Sequence, residues 1–309
     1  MLFHGAYILN EEPLVMGVLD YVVLSKIAEK HRNGPVYCLL HLTWNHAKVH
    51  KIIRKKIFLE SLRRKGLTPL LITNSLEEDA YRRFFKVPGF HCNEYIYTDE
   101  KDYGVLNIEK KHDAVYAAQL MPFKRIELAR EIDKIFVLTY TPGSKVGENN
   151  LPDLCPSMKH ADYNRTWVDH VGKNRLFNQS KVGLCLSKEE GPMLASLEYM
   201  LSGLPVVSTR SKGGRDEYYN KDYCLIVDDN PTAVRKGVEE LIARQIDPHY
   251  IREKTIEKLN RDRDRYVNLL SEYVRKDSHI ILDPVQLRHK FFDKPKNNFV
   301  PIDKLWENQ

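Results

Sequence analysis

Long apolar runs are missing from this 309-residue chain. Nothing in it approaches the roughly 20 apolar residues that a membrane-spanning helix requires. The first residues, Met1 to Gly17, carry Glu11 and Glu12 where a secretory leader needs an apolar core. Cysteine is sparse and scattered: Cys38, Cys92, Cys155, Cys185 and Cys224 form no Cys-x-x-Cys pair. That argues against a zinc site and a disulfide framework, and for a reducing compartment. Low-complexity tracts and internal repeats are also missing. A cytoplasmic protein is expected, either free or peripheral at the cytoplasmic membrane face. The net charge of +6 is modest and no nucleic-acid-binding motif accompanies it, so nucleic acid is not an expected partner.

What the chain does have is alternation of strands and helices. Pro35 to Leu42 reads as a buried strand, followed by a basic helix from Ala47 to Lys65. A second strand ends near Ser75 and a second helix runs from Leu76 to Phe85. The turn-rich stretch from Val87 to Gly104 reads as a linker. From Asp113 the pattern resumes with a strand, a helix carrying Lys124 and a strand over Lys134 to Tyr140. Further strands are expected at Val182–Leu186, Leu204–Ser208 and Tyr223–Val227, with a helix at about Pro192–Leu201 and more from Thr232. Such alternation implies an α/β protein with parallel sheets under covering helices. The length suits two such domains. Their expected bounds are 1–100 and 110–275, with a tail over 276–309. That tail has apolar anchors (Ile280, Ile281, Phe291, Phe292, Trp306) suited to packing across the boundary.

The most informative segment is Lys188 to Glu217. It reads as a loop, a helix, a strand and a glycine loop, the arrangement by which open α/β sheets bind ligands. Pro192 suits the first helical position. The helix behind it turns free amides and partial positive charge toward the loop, which favours an anion. Glu190 lies just outside that terminus and Glu198 within the helix, eight residues on. Slightly more than two turns separates them by about 12 Å along the axis, so both can face one cleft. Carboxylates accept hydrogen bonds only, which is what paired sugar hydroxyls offer. Glu190 is thereby suited to a sugar and Glu198 to a ribose, with phosphate at the helix end. The plainer reading is a helix-start charge and a solvated helical glutamate.

The residues in register are Glu190-Gly191, Glu198, Met200, Gly203, Pro205-Val206-Val207, Thr209, Gly213-Gly214 and Glu217. Together they resemble the donor-site signature of retaining glycosyltransferases of family 4, the glycogen-synthase-like group with the GT-B fold. Asp113 to Ile132 resembles the first strand and helix of that family's nucleotide-binding domain. There a Gly-Arg-Leu-x-x-x-Lys pattern supplies two cations to the diphosphate; here it reads Ala118-Gln119-Leu120 with Lys124 in register. One cation is therefore replaced by an amide, which weakens a charged contact.

The resemblance implies two Rossmann-like domains facing a cleft, the N-terminal one reduced. It implies transfer of a sugar from a nucleotide-diphosphate sugar to a glycan, lipid or small-molecule acceptor with retention at the anomeric carbon. No cofactor and no metal are expected, because the helix end and Lys124 take the charge of the leaving group. Glu190, Lys124 and His41 are the expected catalytic residues, with His46 the alternative histidine. Gln119, Gly191, Pro192, Met193, Leu194, Glu198, Gly213 and Gly214 are expected at the donor. A nucleotide-sugar epimerase, a phosphorylase or a non-catalytic module on the same fold are the rivals.

The helix from Ala47 to Lys65 has Lys48, Lys51, Arg54, Lys55, Lys56, Arg63, Arg64 and Lys65 against one acid, Glu60. Val49, Ile52, Ile53, Ile57, Leu59 and Leu62 are expected to face the core. The basic side is either simply solvated or drawn to an anionic membrane or acceptor.

Overall fold

The computed structural model describes residues 5–18, 24, 27, 35–42, 44, 47–140, 153, 155–293, 299–301 and 304. The chain divides into two compact units, Met1–Tyr97 with Leu259–Gln309, and Thr98–Lys258. Among the described residues, each is built on a six-stranded sheet.

In the first unit the strands are β1 (Gly5–Asn10), β2 (Leu14–Val18), β3 (Val36–His41), β4 (Leu67–Thr73), β5 (Gly89–His91) and β12 (Phe299–Pro301), in the order β12-β1-β2-β3-β4-β5. β2 to β5 are parallel, whereas β1 runs antiparallel to both β2 and β12. The sheet is thus mixed, where a parallel one was expected. Residues 11–13 join β1 to β2, and a connection that short permits only an antiparallel pair. The supposed linker also contributes β5, whose three residues are too few to display a period-two pattern.

Every residue of β3 is buried, and its two faces meet different packing. Val36, Cys38 and Leu40 join Ile52, Leu59 and Leu62 of helix α1 (Val49–Arg63). Tyr37 and Leu39 join Tyr266, Leu270 and Val274 together with Phe291 of the tail. Those last helical residues belong to α6 (Pro248–Ser278), a helix that contributes to both units and changes unit after Lys258. The change comes ahead of the boundary at 275 read from the sequence, because nothing in the helical pattern breaks there. Of the tail anchors, Phe291 is buried and Ile281 is exposed, while Trp306 lies outside the described residues. Helix α2 (Leu76–Phe84) starts at Ser75, whose side chain accepts from the Glu78 amide, and has acids in its first turn and arginines in its last.

The second unit carries β6 (His112–Ala117), β7 (Ile135–Leu138), β8 (Asp162–Tyr163), β9 (Ser180–Cys185), β10 (Val206–Thr209) and β11 (Cys224–Val227). Their order is β11-β10-β9-β6-β7-β8, with all pairings parallel. Its α-helices among the described residues include α3 (His170–Asn178), α4 (Leu194–Leu201) and α5 (Pro231–Ala243), besides the start of α6. α4 lies close on β9 because Gly183 has no side chain: a Cβ there would stand 2.4 Å from the Tyr199 ring. Tyr199 is fully buried, and its hydroxyl accepts from the Ala117 amide at 2.6 Å, tying α4 to the end of β6. Among the described residues no helix is long and apolar enough to cross a membrane.

Candidate functional site

Strand order in the second unit reverses between β6 and β9. Chain order runs outward from β6 to β8 on one side and from β9 to β11 on the other. The crevice beyond the carboxyl ends of such a neighbouring pair is where open α/β sheets receive ligands. Lys124 comes from the segment after β6 and Glu190 from the loop after β9. Both residues expected from the sequence therefore flank the switch point.

The structure brings them into contact. Lys124 Nζ donates to Glu190 Oε1, and Ser187 Oγ donates to the other carboxylate oxygen. Lys124 and Glu190 are each 7 % exposed, so the pair is largely removed from water. The Tyr116 hydroxyl donates to the Lys124 carbonyl at 2.6 Å and so fixes the backbone behind the lysine. Burial, and after it the Glu190 carboxylate, pushes that phenol's pKa well up, so it stays a donor.

Lys124 does not sit on the expected helix. Pro122–Lys124 is a single 3-10 turn, Arg125 takes a left-handed conformation (φ 52°), and Ile126–Ala129 is a second short turn. Arg125 is held there by its guanidinium, which donates to the Leu186 carbonyl, to Thr209 Oγ1 and to Asp229, each at 2.7 Å. The lysine's position thus owes nothing to a helix dipole; its partner is Glu190. Neither glutamate is the solvated charge of the plainer reading, since Glu190 and Glu198 are both buried.

Two residues outside the motif, Arg125 and Arg215, tie the loops of the site together. Arg215 is fully buried. It donates to the Ser187 carbonyl (2.9 Å) and Oγ (2.7 Å), to Ser208 Oγ (2.9 Å) and to the Thr209 carbonyl (2.7 Å). One side chain thereby joins the loop after β9 to the end of β10. The signal available in the sequence was its place directly after Gly213-Gly214. The glycine loop itself is stitched to the glutamate loop by Glu190 N to Lys212 O (3.0 Å) and Lys212 N to Lys188 O (3.2 Å). Gly213 and Gly214 have φ of 114° and 92°, conformations that L side chains rarely adopt.

Helix α4 begins at Leu194, with Met193 as N-cap and no side-chain cap. Pro192 therefore precedes the helix, where the first helical position was expected; Gly191 and Met193 are buried and Leu194 is exposed. Glu198, in α4, has partners of its own. Its carboxylate accepts from the Tyr103 hydroxyl and from Lys173 Nζ, both at 2.7 Å. Burial and the Glu198 charge drive the Tyr103 pKa far up. Gln119, in the place of the family's arginine, is half-buried and donates to the Tyr140 hydroxyl. His41 lies in the first unit, 7 % exposed, with Nε2 at 2.6 Å from the Tyr97 hydroxyl and 3.1 Å from that of Tyr266. Burial lowers its pKa to about 3, so the imidazole is neutral. His46 is outside the described residues. The Asp-x-Asp string of the chain, Asp262-Arg263-Asp264, lies in α6, where Asp264 pairs with Arg288 at 2.6 Å.

The loop, helix, strand and glycine loop that carry these groups have a counterpart among known proteins. Residues 142–244 match the family model for glycosyl transferases group 1. The matched span holds Glu190, Glu198 and Gly213-Gly214, and stops short of Lys124 and Gln119. The crystal structure of TarM aligns with 82 % of this chain and 54 % of its own, at a TM-score of 0.61 and 15 % identity. A mutant of S. aureus TarM, in complex with Fondaparinux, alpha-GlcNAc-glycerol and UDP, aligns over 80 % and 58 % (TM-score 0.58, 13 % identity). Sucrose-phosphate synthase from Thermosynechococcus elongatus aligns over 80 % and 68 % (TM-score 0.56, 15 % identity). This chain accordingly spans little more than half the length of TarM. At these identities the likeness is one of fold, the two-sheet α/β arrangement of GT-B glycosyltransferases. No curated protein matches the chain.

Proposed function

We propose that this chain transfers a sugar from a nucleotide-diphosphate sugar to an acceptor hydroxyl, with retention at the anomeric carbon and without a metal ion. The observation that carries this reading is the buried Lys124–Glu190 pair at the switch point of the second sheet, beside a glycine loop and an uncapped helix start. When the bond from the anomeric carbon to the phosphate oxygen breaks, the acceptor hydroxyl oxygen bonds to the anomeric carbon and the hydroxyl proton passes to the departing diphosphate oxygen. The electron pair of the broken bond leaves with the diphosphate. Lys124 and the amides at the start of α4 stabilise that charge, an electrostatic contribution that is commonly the largest in such transfers. Glu190 orients the sugar hydroxyls, Glu198 takes the ribose, and Gly213-Gly214 lets the backbone approach the donor.

The test is transfer by the full chain from UDP-, GDP- and ADP-sugars, with UDP first because the TarM complex contains it. Diphosphate release and the anomeric configuration of product are followed by NMR, with and without a chelator. Transfer that survives chelation, retains configuration and disappears in Lys124→Ala and Glu190→Ala supports the reading. Inverted product, or dependence on an added divalent ion, counts against it. Gln119 in place of a second cation favours one other reading, a module that binds the nucleotide sugar without turning it over. Thermal stabilisation by a nucleotide, with no release of diphosphate from any donor, selects that alternative.

A further inference from the structure

Helix α1 does not bury its apolar residues on one side. Ile52, Leu59 and Leu62 are buried in the core of the first unit. Val49, Ile53 and Ile57, spaced four apart and so forming one stripe, are instead 46 %, 37 % and 63 % exposed. This corrects the expectation that all six face inward: two apolar stripes exist, and only one has a core to meet.

The outward stripe is set among cations. Lys48, Arg54, Arg64 and Lys65 are exposed around it, and Lys56 is half-buried at its flank. The one acid of the helix, Glu60, is 3.8 Å from Lys56 and already partly neutralised. Trp44, five residues before the helix, is 39 % exposed. A face that combines a central apolar ridge with flanking positive charge and a nearby tryptophan is matched to one surface, the boundary of an anionic bilayer. There the ridge enters the acyl region, the cations meet headgroup phosphates, and indole sits at the interface. A nucleic acid would satisfy the cations and leave Ile53 and Ile57 in water.

We infer that α1 docks the protein on anionic lipid, with Val49, Ile53 and Ile57 inserted and Arg54 and Arg64 on the headgroups. This inference is independent of the donor site, which belongs to the other unit. Each basic residue at such a surface contributes roughly a fivefold gain in partitioning.

The experiment is co-sedimentation of the full chain with phosphatidylcholine vesicles, with and without about a third phosphatidylglycerol. Three variants are compared: Ile53→Ser/Ile57→Ser, Arg54→Glu/Arg64→Glu and Ile57→Trp. Thermal midpoints monitor folding, and nucleotide-induced stabilisation monitors the donor site separately. Binding is expected only to the anionic vesicles, to weaken with salt, and to fall at least tenfold in each double variant. Brominated lipid should quench Ile57→Trp on binding, which an electrostatic contact alone does not produce. Equal binding to neutral vesicles, or indifference to Ile53→Ser/Ile57→Ser, overturns the inference. So does tight binding of an RNA oligomer without vesicle binding, or a dimer that Ile53→Ser/Ile57→Ser dissociates.

Discussion

Lys124 and Glu190, 66 residues apart in sequence, meet as a buried ion pair contributed by the segments that follow two neighbouring strands, β6 and β9, at the point where strand order reverses. Neither charge has water to fall back on, so each depends on the other. Removing one partner leaves an uncompensated charge, at a cost of about 3–5 kcal/mol, whereas neutralising both costs much less. Lys124→Met and Glu190→Gln should therefore each lower stability strongly, and the double variant should recover part of the loss. Urea unfolding of the four proteins gives the coupling, expected at about 1–3 kcal/mol. Additive losses would mean that the two side chains do not act as a pair.

The same contact shapes nucleotide binding. Glu190 competes with an incoming diphosphate for Lys124, so Glu190→Gln should release the lysine's charge to the ligand. UDP is expected to bind this variant at least as tightly as the unaltered protein, while transfer is lost. Calorimetry on both proteins decides it. Weakening as large as in Lys124→Ala would mean that Glu190 positions Lys124 for the diphosphate rather than competing with it.

Arg215 joins the loop after β9 to the end of β10: its guanidinium donates to two carbonyls and two hydroxyls, all buried. Arg215→Met removes the donor from those four buried acceptors and should cost roughly 3 kcal/mol or more. Arg215→Lys keeps the charge but cannot span the loop and the strand at once, and should recover little. The midpoint of urea unfolding measures both. A loss below about 1 kcal/mol in Arg215→Met would show that water replaces the guanidinium.

Much of the second unit was legible because its elements obey short-range rules. The helix at Leu194–Leu201 has its apolar spacing, the strand at Val206–Thr209 its β-branched residues, and the turn at Gly213-Gly214 its glycines. The contact between Lys124 and Glu190 is a product of sheet topology, and sequence alone gave only each residue's motif. The helix around Lys124 failed to appear because Pro122 and the tethered Arg125 divide the segment, and the tether runs to residues far along the chain. In α1, apolar type did not reveal direction: Ile52 and Ile53 are neighbours, one in the core and one in solvent. Strand β12 has only three residues, too few for a period-two pattern to stand out.

Gly213 and Gly214 test whether the loop's shape matters to the ligand. An alanine at φ 114° or 92° imposes strain of about 1–3 kcal/mol or shifts the loop. Because Lys212, next in the chain, is bonded to the glutamate loop, a shift would reach Glu190. Gly213→Ala should lower the thermal midpoint and weaken UDP binding together, seen by thermal shift with and without UDP. A lowered midpoint with unchanged UDP affinity would confine the glycines to a folding role.

His41 and Glu94 titrate in opposite senses within the first unit. Burial lowers the His41 pKa from 6.5 to about 3 and raises that of Glu94 from 4.5 to about 7. Between pH 3 and 6.5 the unfolded chain carries a proton on His41 that the folded protein lacks. Stability from this residue is full above 6.5 and declines as pH falls, by up to ~1.4 kcal/mol per unit. For Glu94 the folded form holds the extra proton between 4.5 and 7, so its contribution is full below 4.5 and is lost as pH rises through 7. Over pH 4.5 to 6.5 the two slopes cancel, and this pair should leave the unaltered protein with little net dependence. Relative to it, His41→Gln should lose stability as pH rises across that window, and Glu94→Gln should gain. Thermal midpoints of the three proteins at half-unit steps supply the comparison. Parallel curves would mean that neither group is held away from its ordinary pKa, and that the His41 ring is reached by water despite its two tyrosine partners.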